Sequence, residues 1–175
     1  AETCPHYLYF TEEDYSRLGA RIKCNPAIKT AADRDALIKA ISDGRIDVIA
    51  TDHAPHLLSD KHGNAFSAAS GMPGVQFSLP LMLELTRTHS ELTMERVVEL
   101  MSHNPAIIYS ISRRGFLRTG NYADIVIVKE VPEYTVSDAD VKSLCGWTPY
   151  AGMTLHYMVI KTIVNGGGNP EPVRF

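Results

Sequence analysis

Between residues 1 and 56 short apolar runs alternate with helical patterns. That alternation is the strongest constraint on the fold, because it is the arrangement of βα units around a parallel sheet. Three runs read as strands: residues 1–4, 20–24 and 46–51, the last being Ile-Asp-Val-Ile-Ala-Thr. A helix is expected over 30–43, with Thr30 as N-cap and Asp33 three residues on. Ala36, Leu37, Ala40 and Ile41 supply its apolar side and Gly44 its stop. A shorter helix is expected over 11–18, capped by Thr11, with Glu12, Glu13 and Asp14 at the positive end of its dipole.

Residues 59–74 are rich in Ser, Gly, Asn, Ala and His without periodicity, which predicts a mobile loop directly after the third strand, where loops carry function. Segments 75–88 and 93–103 read as helices, with Pro80 expected to kink or restart the first, and Asn104-Pro105 begins a further short helical piece. The texture changes near Arg113. Gly115, Gly120 and Asn121 introduce a β run over 123–128, and a second spans 155–164. Between them lies an irregular stretch with Pro132, Trp147, Pro149 and Gly152, and one short strand around 134–136. The expected division is therefore 1–112 and 113–175.

With 45% apolar and 21% charged residues, the 175-residue chain has the composition of a globular protein with one ordinary core. A net charge of -3 gives no basic footprint for nucleic acid, and no apolar run approaches the roughly 20 residues needed to span a bilayer. Neither partner is expected. The three cysteines, Cys4, Cys24 and Cys145, are odd in number and form no CxxC pair, which points to a reducing, cytoplasmic setting. The opening Ala-Glu-Thr-Cys has no signal-peptide pattern and reads as the interior of a longer gene product.

Chemistry concentrates in Ala50-Thr51-Asp52-His53-Ala54-Pro55-His56-Leu57-Leu58-Ser59-Asp60-Lys61, where a buried strand delivers an acid and two histidines into a loop. Barrel enzymes place catalysis at the carboxyl ends of parallel strands. An aspartate there could bind a metal through one oxygen and exchange a proton through the other. Residue types and spacing equally allow Asp52 to cap the following turn while the histidines hydrogen-bond locally.

The pattern Ala-Thr-Asp-His-Ala-Pro-His, four residues, then Lys resembles the second sequence signature of the dihydroorotases, with every fixed position met. Flanking segments agree in order and spacing. Glu2-Thr3-Cys4-Pro5-His6-Tyr7-Leu8 resembles that family's seventh barrel strand, and Lys23-Cys24-Asn25-Pro26 the loop before the eighth. Gly71-Met72-Pro73-Gly74-Val75-Gln76 stands where the family has a substrate-contacting Pro/Gly loop. Asn104-Pro105-Ala106 and the run from Gly120 to Ile127 are similar to its closing helix and returning β domain.

The resemblance implies an α/β fold: the last strands of a TIM-type (β/α)8 barrel, followed by part of a small composite β-sandwich. It implies reversible cyclisation of N-carbamoyl-L-aspartate to L-dihydroorotate in pyrimidine synthesis. Asp52 would be the metal-ligating aspartate that also shuttles the proton, while Asn25 and His56 would hold the substrate. His53 is expected to support Asp52 from behind and Lys61 to pin the loop; Glu2 stands at an acidic position that supplements the metal site in some relatives, and is expected to be buried in its strand end instead. His6 stands where relatives often carry Gln and reads as structural. His62, His89, His103 and His156 read as surface or packing residues.

Two zinc ions are implied, held by a His-x-His pair, a bridging carboxylated Lys or Asp, two further histidines and the final aspartate. Of these only Asp52 is present, and the seven histidines contain no His-x-His pair. One ligand cannot hold a catalytic zinc, so the chain is expected to be the carboxy-terminal piece of a longer enzyme and inactive alone. A homo-oligomer, and docking to aspartate transcarbamoylase, are the implied assemblies. The alternatives are a hydantoinase or allantoinase acting on another cyclic amide, and a metal-free scaffold homologue.

Overall fold

The computed structural model of the chain describes residues 1–64 and 66–167. Strand β1 (Glu2–Thr3) pairs in parallel with β2 (Val48–Ile49), Glu2 opposite Val48 and Thr3 opposite Ile49. Between them lie α1 (Pro5–Tyr9), α2 (Tyr15–Leu18) and α3 (Ala31–Ser42). The first and third of the three expected strands thus form, with the expected helix over 30–43 between them. The strand expected over 20–24 is not formed: Gly19–Ile22 is a 3-10 turn, and only Ile22 and Cys24 bury their side chains completely. The Gly19 backbone at φ 52 breaks α2 and sends the chain through this turn instead of into extended pairing.

The long helix begins where its cap predicts. Thr30 Oγ1 accepts from the Asp33 amide, and the Asp33 carboxylate accepts from the Thr30 amide, closing a capping box. The same device, Thr11 with Asp14, starts the 3-10 turn Glu12–Asp14 that leads into α2. The loop expected over 59–74 contains a 3-10 turn, Leu58–Lys61, and includes Ala65, which lies outside the described residues. A 3-10 turn at Val75–Phe77 gives way to α4 (Ser78–Thr88). Pro80 thus sits in the first turn of α4, where its missing N–H costs nothing. Helix α5 (Met94–Val98), a π-helical turn over Glu99–His103 and α6 (Asn104–Ile108) follow without a break.

Strands β3 (Ile125–Thr135) and β4 (Thr154–Ile163) form an antiparallel ribbon, with register shifts after Ile127 and after Glu130. The expected short strand at 134–136 is the end of β3 itself, and Pro132 falls within the second irregularity. Residues 168–175 lie outside the described part. No described helix is long and apolar enough to cross a membrane.

The ribbon shares its core with the preceding helices. Tyr157 of β4 packs with Leu83, Leu85 and Ile49, while Val136, Trp147, Tyr150 and Leu155 pack with Phe10, Ile22 and Phe77. A polar clasp reinforces the first contact: the Glu84 carboxylate lies 2.7 Å from the His156 amide nitrogen and 2.8 Å from His156 Nδ1. With Glu84 mostly buried, this clasp fixes the register of β4 on α4.

Two substitutions separate these contributions. Thr30→Ala, which removes the exposed cap, is expected to lower unfolding stability by about 1 kcal/mol. Glu84→Ala leaves the His156 amide unpaired beneath the ribbon and is expected to cost about 1–3 kcal/mol. Chemical denaturation of each variant, followed by circular dichroism, measures both.

Candidate active site

The parallel pairing brings the carboxyl ends of β1 and β2 side by side. Beyond β1 come Cys4 and His6; beyond β2 come Asp52, His53 and His56. Asp52 is exposed and adopts φ 44, a left-handed conformation that a short polar side chain tolerates better than most. Such backbone geometry at a strand end is a mark of functional positions. No described backbone amide donates to the Asp52 carboxylate, so it does not cap the following turn. Its negative charge instead acts on Cys4, His6, Tyr7 and Cys24, which surround the strand ends.

The histidines of the signature make local contacts. His53 Nδ1 accepts from the Gly74 amide at 3.1 Å and the Val75 amide at 3.3 Å, which fixes the ring against the Pro/Gly loop. Partial burial lowers its pKa, and an Nδ1 that accepts two hydrogen bonds belongs to a neutral imidazole. No described hydrogen bond joins His53 to Asp52. His56 Nε2 lies 3.0 Å from the Ser70 carbonyl oxygen, and the His56 carbonyl accepts from Trp147 Nε1 at 2.8 Å.

Asn25 is exposed on the loop after Cys24, ahead of a cis bond to Pro26, and its Nδ2 donates to Ser70 Oγ at 3.1 Å. Asn25 and His56 therefore meet at one residue. Lys61 is buried to 4% exposure and donates to three carbonyls, those of Lys23, Ala69 and Gly71. Burial pulls its ammonium down to about 8. Glu2 faces solvent instead of being buried, because strand alternation turns Thr3 inward and Glu2 outward.

Close backbone approach explains the glycines of the Pro/Gly loop. A Cβ on Gly74 would stand 2.7 Å from the Thr51 carbonyl oxygen; one on Gly71, already at φ 111, would stand 2.4 Å from Ala54 Cβ. The loop is laid directly on the signature strand, with Ala54 N donating to the Met72 carbonyl at 3.0 Å.

Several contributors had no local sequence signal. Trp147 reaches His56 from 91 positions away. Tyr7 anchors the Asn25 loop by donating to the Pro26 carbonyl at 2.8 Å. Ser70 is the shared partner of Asn25 and His56. Cys4 is held as a thiol, its pKa pushed up to about 12 by burial, with the Asp52 charge adding to the effect.

His6 is fully buried, and neither ring nitrogen has a hydrogen-bond partner among the described residues. Burial lowers its pKa to about 4, against which the Asp52 charge pulls only weakly. Among the described residues no group of three or more His, Cys, Asp or Glu side chains is placed to hold a metal ion. A catalytic zinc takes three protein ligands. Asp52 offers one donor, so the side chains present do not by themselves make such a site.

A profile of the amidohydrolase family matches residues 4–167, and the chain belongs to that family. Its sequence is 38% identical over 151 residues to a dihydroorotase of Halobacterium salinarum, covering 86% of this chain and 36% of that protein. It is 39% identical over 165 residues to a dihydroorotase of Acetivibrio thermocellus, covering 94% and 38%. The chain thus spans well under half the length of these curated relatives. Among solved structures, L-hydantoinase (dihydropyrimidinase) from Arthrobacter aurescens superposes with a TM-score of 0.90 at 29% identity, over 97% of this chain and 39% of that one. Dihydropyrimidinase from Brevibacillus agri superposes with 0.87 at 20% identity. The fold is that of the metal-dependent hydrolase barrel.

His6 sets a pH dependence. An unfolded histidine takes up a proton near 6.5, whereas the buried one resists until about 4. The unfolded state therefore binds more protons between those values, and stability falls as pH drops from 6.5 to 4, by on the order of 3 kcal/mol at most. His6→Gln is expected to flatten this part of the stability curve in denaturant titrations. A second expectation concerns the loop: Gly71→Ala is expected to cost about 1–3 kcal/mol, through its φ and the clash with Ala54.

Proposed function

We propose that the protein to which this chain belongs is a dihydroorotase, catalysing reversible cyclisation of N-carbamoyl-L-aspartate to L-dihydroorotate. The observation that carries this reading is the complete signature from Ala50 to Lys61, held with its histidines against the Pro/Gly loop. The 34–39% identity to curated dihydroorotases over most of the chain supports it. Structural likeness to hydantoinases supports the alternative of another cyclic amide, at lower sequence identity.

In this reading Asp52 is both a metal ligand and the proton carrier. Its exposure, its lack of a hydrogen-bond donor among the described residues and its place at a strand end suit a carboxylate that must face both metal and substrate. Zinc, with two ions in the complete site, would draw its other ligands from outside the described residues; bound there, it would lower the pKa of a water toward 7. Asn25 presents a two-way hydrogen-bonding amide to the substrate carboxylate, and His56 a ring edge on the same side. His53 orients the loop beneath them, and Lys61 pins it. Glu2, exposed on its strand, is given no role in this reading.

The same reading assigns residues 1–112 to the barrel and 113–175 to part of a β-sandwich. It places the enzyme in the cytoplasm as a homo-oligomer acting on a small molecule. Docking to aspartate transcarbamoylase gains no support from the relatives.

The test is steady-state hydrolysis of dihydroorotate by the full-length protein, beside hydantoin and allantoin, with zinc measured in the same samples. Dihydroorotate is expected to be the preferred substrate. Asp52→Asn is expected to lower kcat at least about 100-fold, as loss of a general acid–base group does. His56→Ala is expected to act mainly on KM. Preference for hydantoin or allantoin would replace dihydroorotase by the alternative reading.

A further inference from the structure

The two side chains assigned to substrate binding meet at Ser70, and Ser70 is held from both sides by a single charge. His56 Nε2 contacts the Ser70 carbonyl oxygen and Asn25 Nδ2 donates to Ser70 Oγ. Lys61 Nζ donates to the carbonyls of the two residues that flank Ser70, Ala69 at 2.7 Å and Gly71 at 2.6 Å. Its third donor goes to the Lys23 carbonyl at 3.1 Å, two residues before Asn25. An ammonium has three N–H donors, so the set is complete. The Gly71 amide donates back to the same Lys23 carbonyl at 2.9 Å, closing a ring of backbone groups around the lysine. Lys23 Nζ adds a further tie to the Ala68 carbonyl.

Nothing in this arrangement neutralises the charge. No described carboxylate pairs with Lys61, and its described hydrogen-bond partners are three backbone carbonyls. A buried charge without a counter-ion is costly, and an apolar side chain of similar length would fill the same space more cheaply. What an apolar residue cannot do is draw three carbonyl oxygens toward one point, since their partial charges repel. The ammonium therefore fixes a geometry.

We propose that Lys61 is a positioning residue of the active site, whose ammonium gathers the Lys23, Ala69 and Gly71 carbonyls so that Asn25 and His56 present one pre-formed substrate-binding edge across Ser70. The inference rests on the reading of Asn25 and His56 as substrate-binding residues. It explains why a lysine closes the signature nine positions after Asp52: the spacing carries the chain out through the Leu58–Lys61 turn and returns the side chain beneath the loop.

The experiment uses the full-length protein, with Lys61→Met, which keeps length and loses all donors, and Lys61→Arg, which keeps charge in a planar fork that cannot converge on three carbonyls. Kinetics with dihydroorotate are read together with peptide-level hydrogen exchange over residues 66–74 and over α3. In Lys61→Met, KM is expected to rise about tenfold or more while kcat changes less than about threefold, as for lost binding that ground state and transition state share. Exchange over 66–74 is expected to quicken about tenfold with α3 unchanged, the sign of local opening. Lys61→Arg is expected to restore neither.

Unchanged KM and unchanged loop exchange in Lys61→Met would overturn the proposal. So would exchange that quickens equally over α3, which would make Lys61 a support of the whole fold, or full rescue by Arg, which would make charge alone sufficient. If the unsubstituted protein does not turn over dihydroorotate, the functional reading falls by itself; the exchange comparison still decides whether Lys61 sets the loop.

Discussion

The parallel pairing of β1 with β2 is the contact on which the rest of the site depends. It is only two residues long on each side, yet backbone hydrogen bonds continue it at both ends, from Asp47 N to the Ala1 carbonyl and from Ala50 N to the Thr3 carbonyl, each 2.9 Å. Side chains from the later helices reinforce it: Arg96 donates to the carbonyls of Ile41 and Ile46, and Asn104 donates to the Asp47 carbonyl. These three carbonyls belong to the end of α3 and the approach to β2, where no strand partner reaches them. Holding them fixes where β2 begins.

From that edge outward, each layer of the site is fastened by the next. The Pro/Gly loop lies on the signature strand through two glycines whose missing side chains permit contact. Lys61 gathers the loop from below, and His53 holds it from the strand. The segment between β3 and β4 closes the far side: Trp147 donates to the His56 carbonyl, and Arg21 lies over the same indole while pairing with Asp138. The ribbon is thus part of the frame around His56, which explains why its core residues mix with those of α1 and α4 instead of forming a separate centre.

Burial in this frame keeps groups uncharged near the Asp52 carboxylate. The Cys4 thiol, the Tyr7 hydroxyl and the His6 ring all have pKa values moved by desolvation toward their neutral forms. No described cation pairs with Asp52, which suits the metal-binding and proton-carrying role proposed for it. The His6 ring nitrogens, without a hydrogen-bond partner among the described residues, are a costly feature of this arrangement.

Local chemistry made much of this legible in the sequence. Thr30 and Asp33 announced the start of α3, the apolar run before Asp52 announced β2, and the twelve residues from Ala50 to Lys61 announced the site, because caps, strand alternation and signature spacing act over a few neighbouring residues. What misled was equally local: residues 20–24 look extended in composition, but Gly19 turned them into a 3-10 turn, and Glu2 faces outward because its partner strand takes Thr3 inward. The sequence by itself determined the order and spacing of the acid, histidines and lysine between Ala50 and Lys61. Only the tertiary structure decided that Asn25 and His56 meet at Ser70, that Lys61 serves three carbonyls, and that Trp147 closes the far side, because those contacts join residues 8 to 91 positions apart whose approach is set by core packing and backbone hydrogen bonding, neither of which leaves a local pattern.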